Sequence, residues 1–343
     1  MTVRIRTALV VLLTAVLLAF FLRNADLAGV WAEVRRADPG LIALATVLTL
    51  ATYLLRTWRW QGLVRPIGPA RFAAAFRATV IGFAASFLLP ARAGEFIRPY
   101  LLARHEGLSA TATFATIVLE RLLDLVTVLL LFGAFLLFFD TGLDAIDPAT
   151  FAAVRVGAAG AAVTAMVGLA VLAVLAGHPE RLGRAAGRLE RWLPTRMASA
   201  LERLVARFAQ GMAVLRRPAE LARALAISVP LWMSIAGGIW LTSRAFHITF
   251  PYTGSFLVMS FLTVGVAVPT PGAIGGFHAA FRIAVTTFYA APEDRAVGAA
   301  IVLHAVSFVP VTLMGIGFMA QEGLSLGNMR RMAARRDAVG AES

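Results

Sequence analysis

The sequence of 343 residues contains no cysteine and no lysine, and charged residues make up only 15% of it. The absence of cysteine excludes a small scaffold held together by disulfides. A hydrophobic content of 59% excludes a disordered or collagen-like chain. It also argues against an ordinary soluble domain, in which about a quarter of the residues are charged. The composition, with a mean hydropathy of +0.78, is typical of a membrane protein.

Long apolar runs set the predicted architecture, because a membrane-spanning helix needs about 20 predominantly apolar residues. Six runs reach or approach that length: Thr7–Leu22, Leu41–Leu55, Thr111–Phe139, Phe151–Ala176, Leu221–Thr242 and Ala296–Met319. Two longer stretches are interrupted, Phe72–Ala103 at Pro90–Glu95 and Thr253–Ala291 at Pro269–Gly276. The first run resembles a signal peptide, but the residues after it form a poor cleavage site, so we predict a retained helix. The sequence predicts an all-α polytopic membrane protein with six full spans and two broken or re-entrant helical hairpins.

The positions of the arginines predict the orientation, because cytoplasmic loops of membrane proteins are enriched in Lys and Arg. If the N-terminus is inside and each hairpin returns to its own side, 20 arginines are cytoplasmic and 5 are external. The cytoplasmic set includes Arg56, Arg59, Arg65 and Arg71. Both termini are then cytoplasmic, and the hairpins enter from opposite sides, as in an inverted repeat. We expect a multi-pass protein of the cytoplasmic (inner) membrane, whose charge of +13 reflects topology and indicates no nucleic-acid partner.

The longest polar segment, residues 178–218, contains apolar residues at intervals of three and four, which is one face of a helix. A basic amphipathic helix beside membrane spans is typical of a helix lying on the cytoplasmic leaflet. Packing of the same face on the transmembrane bundle is the alternative. We therefore predict one transmembrane domain over residues 1–323, with a cytoplasmic amphipathic insert at 178–218 and a basic cytoplasmic tail at 324–343.

Ionisable residues inside apolar sequence are candidates for function, because they are costly in lipid and usually face a partner or a wet cavity. The first interruption contains Arg92, Glu95 and Arg98, spaced three apart. Prolines and a glycine there would free backbone N–H groups, and a helix N-terminus beside arginine side chains suits an anion such as phosphate. The alternative is an ordinary cytoplasmic turn in which Glu95 neutralises the two arginines.

A second charged cluster, Glu120, Arg121 and Asp124, lies within the third uninterrupted run. Spacings of three and four place these residues on nearby faces of a helix. Three charges in one span should face the interior of the bundle, where they could pair with Arg92 or Arg98. Such a cluster could be a salt-bridge lock or part of a substrate site, and the two roles are compatible.

The second interruption contains two prolines and three glycines in eight residues, so it cannot form a regular helix. Irregular backbone at membrane depth is tolerated where it is buried in protein or lines a cavity. The candidate residues here are Pro271, Gly272, Gly275, Gly276, His278 and Arg282. His278 and Arg282 are four apart and would share a helix face. A histidine in such a place is more often a hydrogen-bonded bundle residue than a proton relay, and the same holds for His304.

Three motifs in order resemble those of the lysylphosphatidylglycerol synthase transmembrane region, a family also called the flippase-like domain or UPF0104 family. They are the run Leu88–Arg98, the Gly-Leu-Ser at 107–109, and Glu120-Arg121 followed by Asp124. The turn Pro271–Gly275 approximates a Pro-Gly-Gly-Ile-Gly pattern of that family. The resemblance covers essentially the whole chain and implies a multispanning protein that moves a lipid, or helps to move it, between leaflets.

The chain departs from the family pattern at three positions. Ser86 stands where asparagine is frequent, Ala273 replaces a glycine, and His278 stands where glutamate is common. The last departure argues against a proton-coupling role for that position, or moves the role to histidine. Well-known members carry a fused aminoacyl-transferase domain, and we expect this chain to be a stand-alone member without one.

We expect a translocase for a lipid with an anionic headgroup, either a phospholipid or a polyprenyl-phosphate-linked glycolipid. Arg92 and Arg98 would bind phosphate, and Arg121 would supply a third cationic contact. The sequence contains no P-loop and no metal-ligand motif such as His-Glu-x-x-His, so we expect no cofactor and no enzymatic activity. Besides the lipid, the predicted partners are a second copy of the chain or proteins of envelope synthesis.

Two alternatives remain. The first is a lipid-binding accessory protein of envelope or glycolipid synthesis that does not transport. The second is a membrane glycosyltransferase that uses a lipid-linked sugar donor, with Glu95, Glu120 or Asp124 as the base.

Overall fold

The computed structural model describes residues 26–89, 92–138, 148–177, 210–268 and 270–323, together with Phe21, Leu204, Arg207 and Phe208. Within these ranges the chain is helical and contains no β-strand. The helices are α1 (Leu27–Arg36), α2 (Pro39–Val64), α3 (Phe72–Leu88), α4 (Gly94–Glu106), α5 (Ala110–Phe138), α6 (Pro148–Gly177), α7 (Pro218–Ala245), α8 (Gly254–Ala267), α9 (Gly276–Tyr289) and α10 (Glu293–Gln321). Short 3-10 turns occupy Ala213–Arg216 and Pro271–Ala273.

Four described helices, α2, α5, α7 and α10, are long and apolar enough to cross a membrane. They have 26, 29, 28 and 29 residues, more than the roughly 20 that a span requires. Helix α6, with 30 residues, contains another predicted span, Phe151–Ala176. The protein is therefore an all-α polytopic membrane protein, as predicted. The first predicted span (apart from Phe21), most of the insert at 178–218 and the tail at 324–343 lie outside the described residues.

Both interrupted stretches form helical hairpins. Helices α3 and α4 are separated by residues 89–93, and α8 and α9 by residues 268–275. In the first hairpin a side-chain carbon at Gly94 would overlap the carbonyl oxygen of Gly82, and in the second a side-chain carbon at Gly265 would overlap that of Gly276. Both hairpins therefore depend on backbone contact that only glycine permits.

The two halves of the protein repeat one order of elements, a long helix followed by a hairpin and another long helix. The first unit is α2 to α5 and the second is α7 to α10. Helix α3 of the first hairpin packs on α10, and α8 of the second hairpin packs correspondingly on α5. In each unit, the first helix of the hairpin therefore packs on the last long helix of the other unit.

The corresponding long helices α2 and α7 run antiparallel along their contact. Arg59 Nη1 lies 2.7 Å from Ser228 Oγ, and Thr52 Oγ1 lies 2.9 Å from Ser234 Oγ. The residue number of the contacting positions rises along α2 as it falls along α7. The same antiparallel arrangement continues at the end of α7, where the Asp38 N–H donates to the Ala245 carbonyl at 3.0 Å. Antiparallel packing of equivalent helices is the arrangement of an inverted repeat.

Candidate functional site

A cavity of about 400 Å³ lies between the two units. Its wall is formed by residues from α2 to α5 and from α7 to α10, including the turn between α8 and α9. The charged residues in the wall are Arg56, Arg92, Glu95, Arg98, Arg121 and Asp124. All six come from the first unit, whereas the second unit contributes mainly apolar residues such as Met259, Leu262 and Phe308. The cavity therefore has one strongly polar side and one apolar side.

Glu120 and Asp124, one turn apart on α5, form the anionic centre of the cluster. Glu120 Oε1 lies 2.9 Å from Arg98 Nη1 and 3.6 Å from Arg59 Nη2. Asp124 Oδ1 lies 2.7 Å from Arg59 Nη1 and accepts a hydrogen bond from Trp232 Nε1 at 3.0 Å. The side chains of Glu120 and Arg59 are fully buried. Buried charges persist when they are paired and hydrogen-bonded, so this network joins α2, α4, α5 and α7.

Glu95, at the start of α4, is the more exposed of the two carboxylates in the cavity wall. Its Oε1 lies 3.4 Å from Arg121 Nε and 3.7 Å from Arg92 Nη1. Its side chain is 27% exposed, compared with 0% for Glu120. Because its contacts are longer and its side chain more accessible, Glu95 has hydrogen-bonding capacity left for a ligand.

Arg92 connects the first interruption to the second hairpin. Its backbone has a φ of 53°, a left-handed conformation that is uncommon for a residue other than glycine. Its Nη2 donates a hydrogen bond to the carbonyl of Val266 at 2.8 Å. Val266 lies in the last turn of α8, where carbonyl groups lack partners within the helix. Strained backbone of this kind persists where surrounding contacts hold it, and it occurs often at functional sites.

Aromatic rings hold the cavity arginines from the side. The guanidinium carbons of Arg56, Arg98 and Arg121 lie 5.0, 5.9 and 5.9 Å from the ring centre of Phe83. Arg98 also lies 3.9 Å from the ring centre of Trp60. Guanidinium groups over aromatic faces are stabilised by cation–π attraction. The rings can therefore position these cations without using their N–H groups.

Several N–H groups of these arginines are buried without a hydrogen bond in the part of the chain that the structure describes. They are Nη1 of Arg56, Nε and Nη2 of Arg98 and Nε of Arg121. A buried unsatisfied donor costs about 1–3 kcal/mol, and more for a charged group. All three residues line the cavity, so the arrangement is suited to an anion that supplies oxygen acceptors.

At the second interruption, two histidines hold the irregular backbone. The rings of His278 and His304 stack with their centres 4.6 Å apart. His304 Nε2 donates to the carbonyl of Gly272 at 2.7 Å, and the Gly275 N–H donates to His278 Nδ1 at 3.4 Å. Gly272 and Gly275 have φ values of 62° and 91°, which only glycine adopts easily. The contacts of the two histidines fix the turn.

The predicted residues of the second interruption lie beside the cavity. Among the residues that the structure describes, Thr270, Ala273 and Phe277 line it, and Pro271 begins a 3-10 turn. The following predicted residues do not belong to its wall: Gly272, Gly275, Gly276, His278 and Arg282. Arg282 Nη1 instead donates to the Phe21 carbonyl at 2.9 Å and lies 2.7 Å from Glu293. A binding role for this group stays a prediction.

The sequence did not predict that Arg56 and Arg59 belong to the cluster. Both residues were predicted to be cytoplasmic. The apolar run was taken to end at Leu55, but α2 continues to Val64, and both arginines are buried. The available signal was their spacing of three residues, with Trp58 and Trp60 beside Arg59. Without these two residues, eighteen arginines are predicted to be cytoplasmic and five to be external. The predicted orientation is therefore unchanged.

The cluster offers no evident place for a metal ion. In the described ranges, no three His, Asp or Glu side chains come together as potential ligands. The three carboxylates of the cluster are each paired with arginine, and the surplus of guanidinium groups favours an anion over a cation.

Comparison with known proteins adds two findings. The model of the family described as Lysylphosphatidylglycerol synthase TM region matches residues 7–315 and confirms the resemblance of the motifs. The glycosyltransferase AglD of Haloferax volcanii is 26% identical over 342 residues, covering 92% of this chain and 54% of that protein. The chain thus spans about half the length of this relative. The expectation that the chain is not an enzyme is wrong on this evidence, because the relative is named as one.

Proposed function

This chain belongs to the lysylphosphatidylglycerol synthase transmembrane-region family, and we propose that it binds the phosphate of an anionic lipid in the arginine-lined cavity and moves that lipid between leaflets. The observation that carries the proposal is that Arg56 and Arg98 line the cavity and that each has buried N–H groups without a hydrogen bond among the described residues. Phosphate oxygens are strong acceptors for guanidinium groups, and such charge-assisted bonds are about twice as strong as neutral ones.

The two sides of the cavity match the two parts of a lipid. The polar side, with Arg92, Arg98 and Arg121, suits a headgroup, and the apolar side, with Leu262 and Phe308, suits the start of an acyl or prenyl chain. Irregular backbone at the two interruptions lies beside this space. Alternate opening of the two hairpins would then expose the headgroup site to each side of the membrane in turn.

The direct test is lipid exchange in liposomes that contain the purified protein, a fluorescent anionic lipid and a matched fluorescent neutral lipid. Quenching of the outer leaflet reports the exchange rate. We expect wild type to accelerate the anionic lipid, and Arg92→Ala and Arg98→Ala each to reduce that rate about tenfold or more, since each removes charge-assisted hydrogen bonds.

Arg104→Ala is the matched control, because Arg104 lies on the same helix as Arg98 and is exposed. Its exchange rate should equal that of wild type. Unchanged exchange of every anionic lipid in Arg92→Ala and Arg98→Ala would reject the proposed site. Binding without exchange in wild type would favour a lipid-binding accessory protein.

The second candidate is glycosyl transfer from a lipid-linked donor, which the similarity to a named glycosyltransferase favours. Among the three candidate carboxylates, Glu95 is the best placed base, because it is accessible and loosely paired, whereas Glu120 is enclosed by Arg59 and Arg98. Glu95 would take the proton of an acceptor hydroxyl, whose oxygen then bonds to the anomeric carbon. The bond from that carbon to the lipid phosphate oxygen breaks, and the electron pair leaves with the phosphate.

Arginine N–H groups near Glu95 would stabilise the negative charge that develops on the departing phosphate. The test is product formation by purified protein with a prenyl-phosphate sugar and an acceptor. Glu95→Gln should abolish the product, and Glu106→Gln, a change of the same chemistry at the other end of α4, should not. Equal product from Glu95→Gln and wild type would reject this role.

A further inference from the structure

The ionic cluster at the cavity contains more cations than anions. Its five arginines are Arg56, Arg59, Arg92, Arg98 and Arg121, and its three carboxylates are Glu95, Glu120 and Asp124. Five positive charges against three negative leave a formal excess of two. Four of the arginines line the cavity, so the excess faces the space where a ligand would lie.

Other carboxylates of the described residues do not compensate this excess. Their ion pairs and hydrogen bonds engage other partners, as in the pairs Glu33–Arg295, Glu106–Arg71, Glu220–Arg65 and Glu293–Arg282, and in the helix caps of Asp26 and Asp38. His278 and His304, in the second unit, are outside the cavity wall and carry no formal charge at neutral pH.

Uncompensated charge inside a membrane protein is costly, and it is usually balanced by a partner, water or a ligand. A headgroup with one negative charge would leave one arginine unbalanced. A headgroup with two negative charges would neutralise the cluster and offer oxygen acceptors to Arg56 and Arg98, whose buried N–H groups are not fully hydrogen-bonded.

We infer that the lipid bound at this site carries two negative charges on its headgroup, an inference that rests on the proposed binding of an anionic lipid. Two headgroup chemistries have that charge. One is a phosphomonoester, whose second ionisation falls near pH 6, and the other is a diphosphate whose terminal phosphate is esterified, for example to a sugar.

The test compares affinities within two matched pairs of lipids at pH 8, by titration of the purified protein in detergent. The first pair is phosphatidic acid and phosphatidylmethanol with identical acyl chains, and the second is a prenyl diphosphate sugar and the corresponding prenyl monophosphate sugar. We expect the member with two charges to bind at least about tenfold more tightly, since one additional buried ion pair is then formed. A preference within one pair alone identifies which chemistry the site takes.

Substitutions in the protein test the same inference, because they change the charge of the cluster while the four lipids stay the same. Arg56→Gln lowers the excess to one, so the ratio within each pair should fall to about threefold or less. Glu95→Gln, at an accessible carboxylate whose loss should leave the fold intact, raises the excess to three and should tighten binding of every anionic lipid. Arg104→Gln, at an exposed arginine, should keep wild-type affinities.

Equal affinity within both pairs for wild type would overturn the two-charge inference and leave the proposed anionic-lipid site standing. Failure of all four lipids to bind would overturn both. If Glu95→Gln binds none of the four lipids more tightly than wild type does, the inference is also contradicted. The charge of the cluster would then not determine the affinity for the lipid.

Discussion

Glu120 is the carboxylate whose removal should destabilise the protein most. Glu120→Gln replaces a fully buried anion with an amide of nearly the same shape, and it leaves Arg98 and Arg59, previously at 2.9 and 3.6 Å, without this counter-charge. Removal of one partner from a buried ion pair costs about 3–5 kcal/mol. The same substitution at Glu106, whose side chain is 10% exposed, should cost less, about 1 kcal/mol, because its partner Arg71 is 77% exposed and stays hydrated when the anion is removed.

Thermal unfolding in detergent, followed by tryptophan fluorescence, measures this difference. The chain has six tryptophans, one of which, Trp60, touches Arg98, and it has no cysteine to complicate the signal. Glu120→Gln should lower the Tm by at least about 4 °C, and Glu106→Gln should lower it much less. The double variant Glu120→Gln/Arg98→Gln should regain part of the loss, because both charges are then absent. Equal Tm values for Glu120→Gln and Glu106→Gln would refute the view that the buried ion pairs of Glu120 stabilise the packing of these helices.

Other predictions concern the hairpins. Gly94→Ala should destabilise the protein by about 1–3 kcal/mol, because the new methyl group would overlap the Gly82 carbonyl, whereas Gly133→Ala, which meets no atom within 4 Å, should be neutral in the same unfolding assay. His304→Phe keeps an aromatic ring but loses the 2.7 Å hydrogen bond to Gly272, so it should lower stability by about 0.5–1.5 kcal/mol. A wild-type Tm for His304→Phe would mean that ring stacking alone holds the turn.

The hairpins could be predicted from sequence because their cause is local. Proline and clustered glycine prevent a continuous helix wherever the chain folds, so the interruptions at 90–95 and 269–276 follow from residue type. Glu120 and Asp124 were also predictable as inward-facing residues, since charge on a long apolar helix must avoid lipid. The pairing of Glu120 with Arg98 joins two elements that are neighbours in sequence.

The share of Arg56 and Arg59 in the cluster could not be predicted in this way. Their burial depends on carboxylates more than sixty residues away on α5, and no local pattern reports that contact. A charged residue at the end of an apolar run has the same sequence signal whether it lies in a loop or within a longer buried helix. The contact that decides between these cases is tertiary.

The two units use equivalent positions for different purposes. In the first, Glu95 contacts Arg121, 26 residues later, and in the second, His278 stacks on His304, also 26 residues later. Each pair joins the first turn of the second hairpin helix to the following long helix. The same arrangement of helices therefore occurs in both units. The first unit contains the excess charge, and the second contains the histidines that hold the turn. The restriction of the proposed anion site to one side of the cavity is a consequence of this divergence.

Arg92 links the proposed anion site to the opposite hairpin. Its side chain is 41% exposed and lines the cavity, and its Nη2 donates to the Val266 carbonyl at the end of α8. A phosphate that draws the guanidinium group away from α8 would compete with this carbonyl for Nη2, because the donors of a guanidinium group are fixed in one plane and move together. Binding at the first interruption would thus weaken a contact that holds the two hairpins together. A ligand shifts a conformational equilibrium only by its difference in affinity for the two states, and this shared arginine provides such a difference.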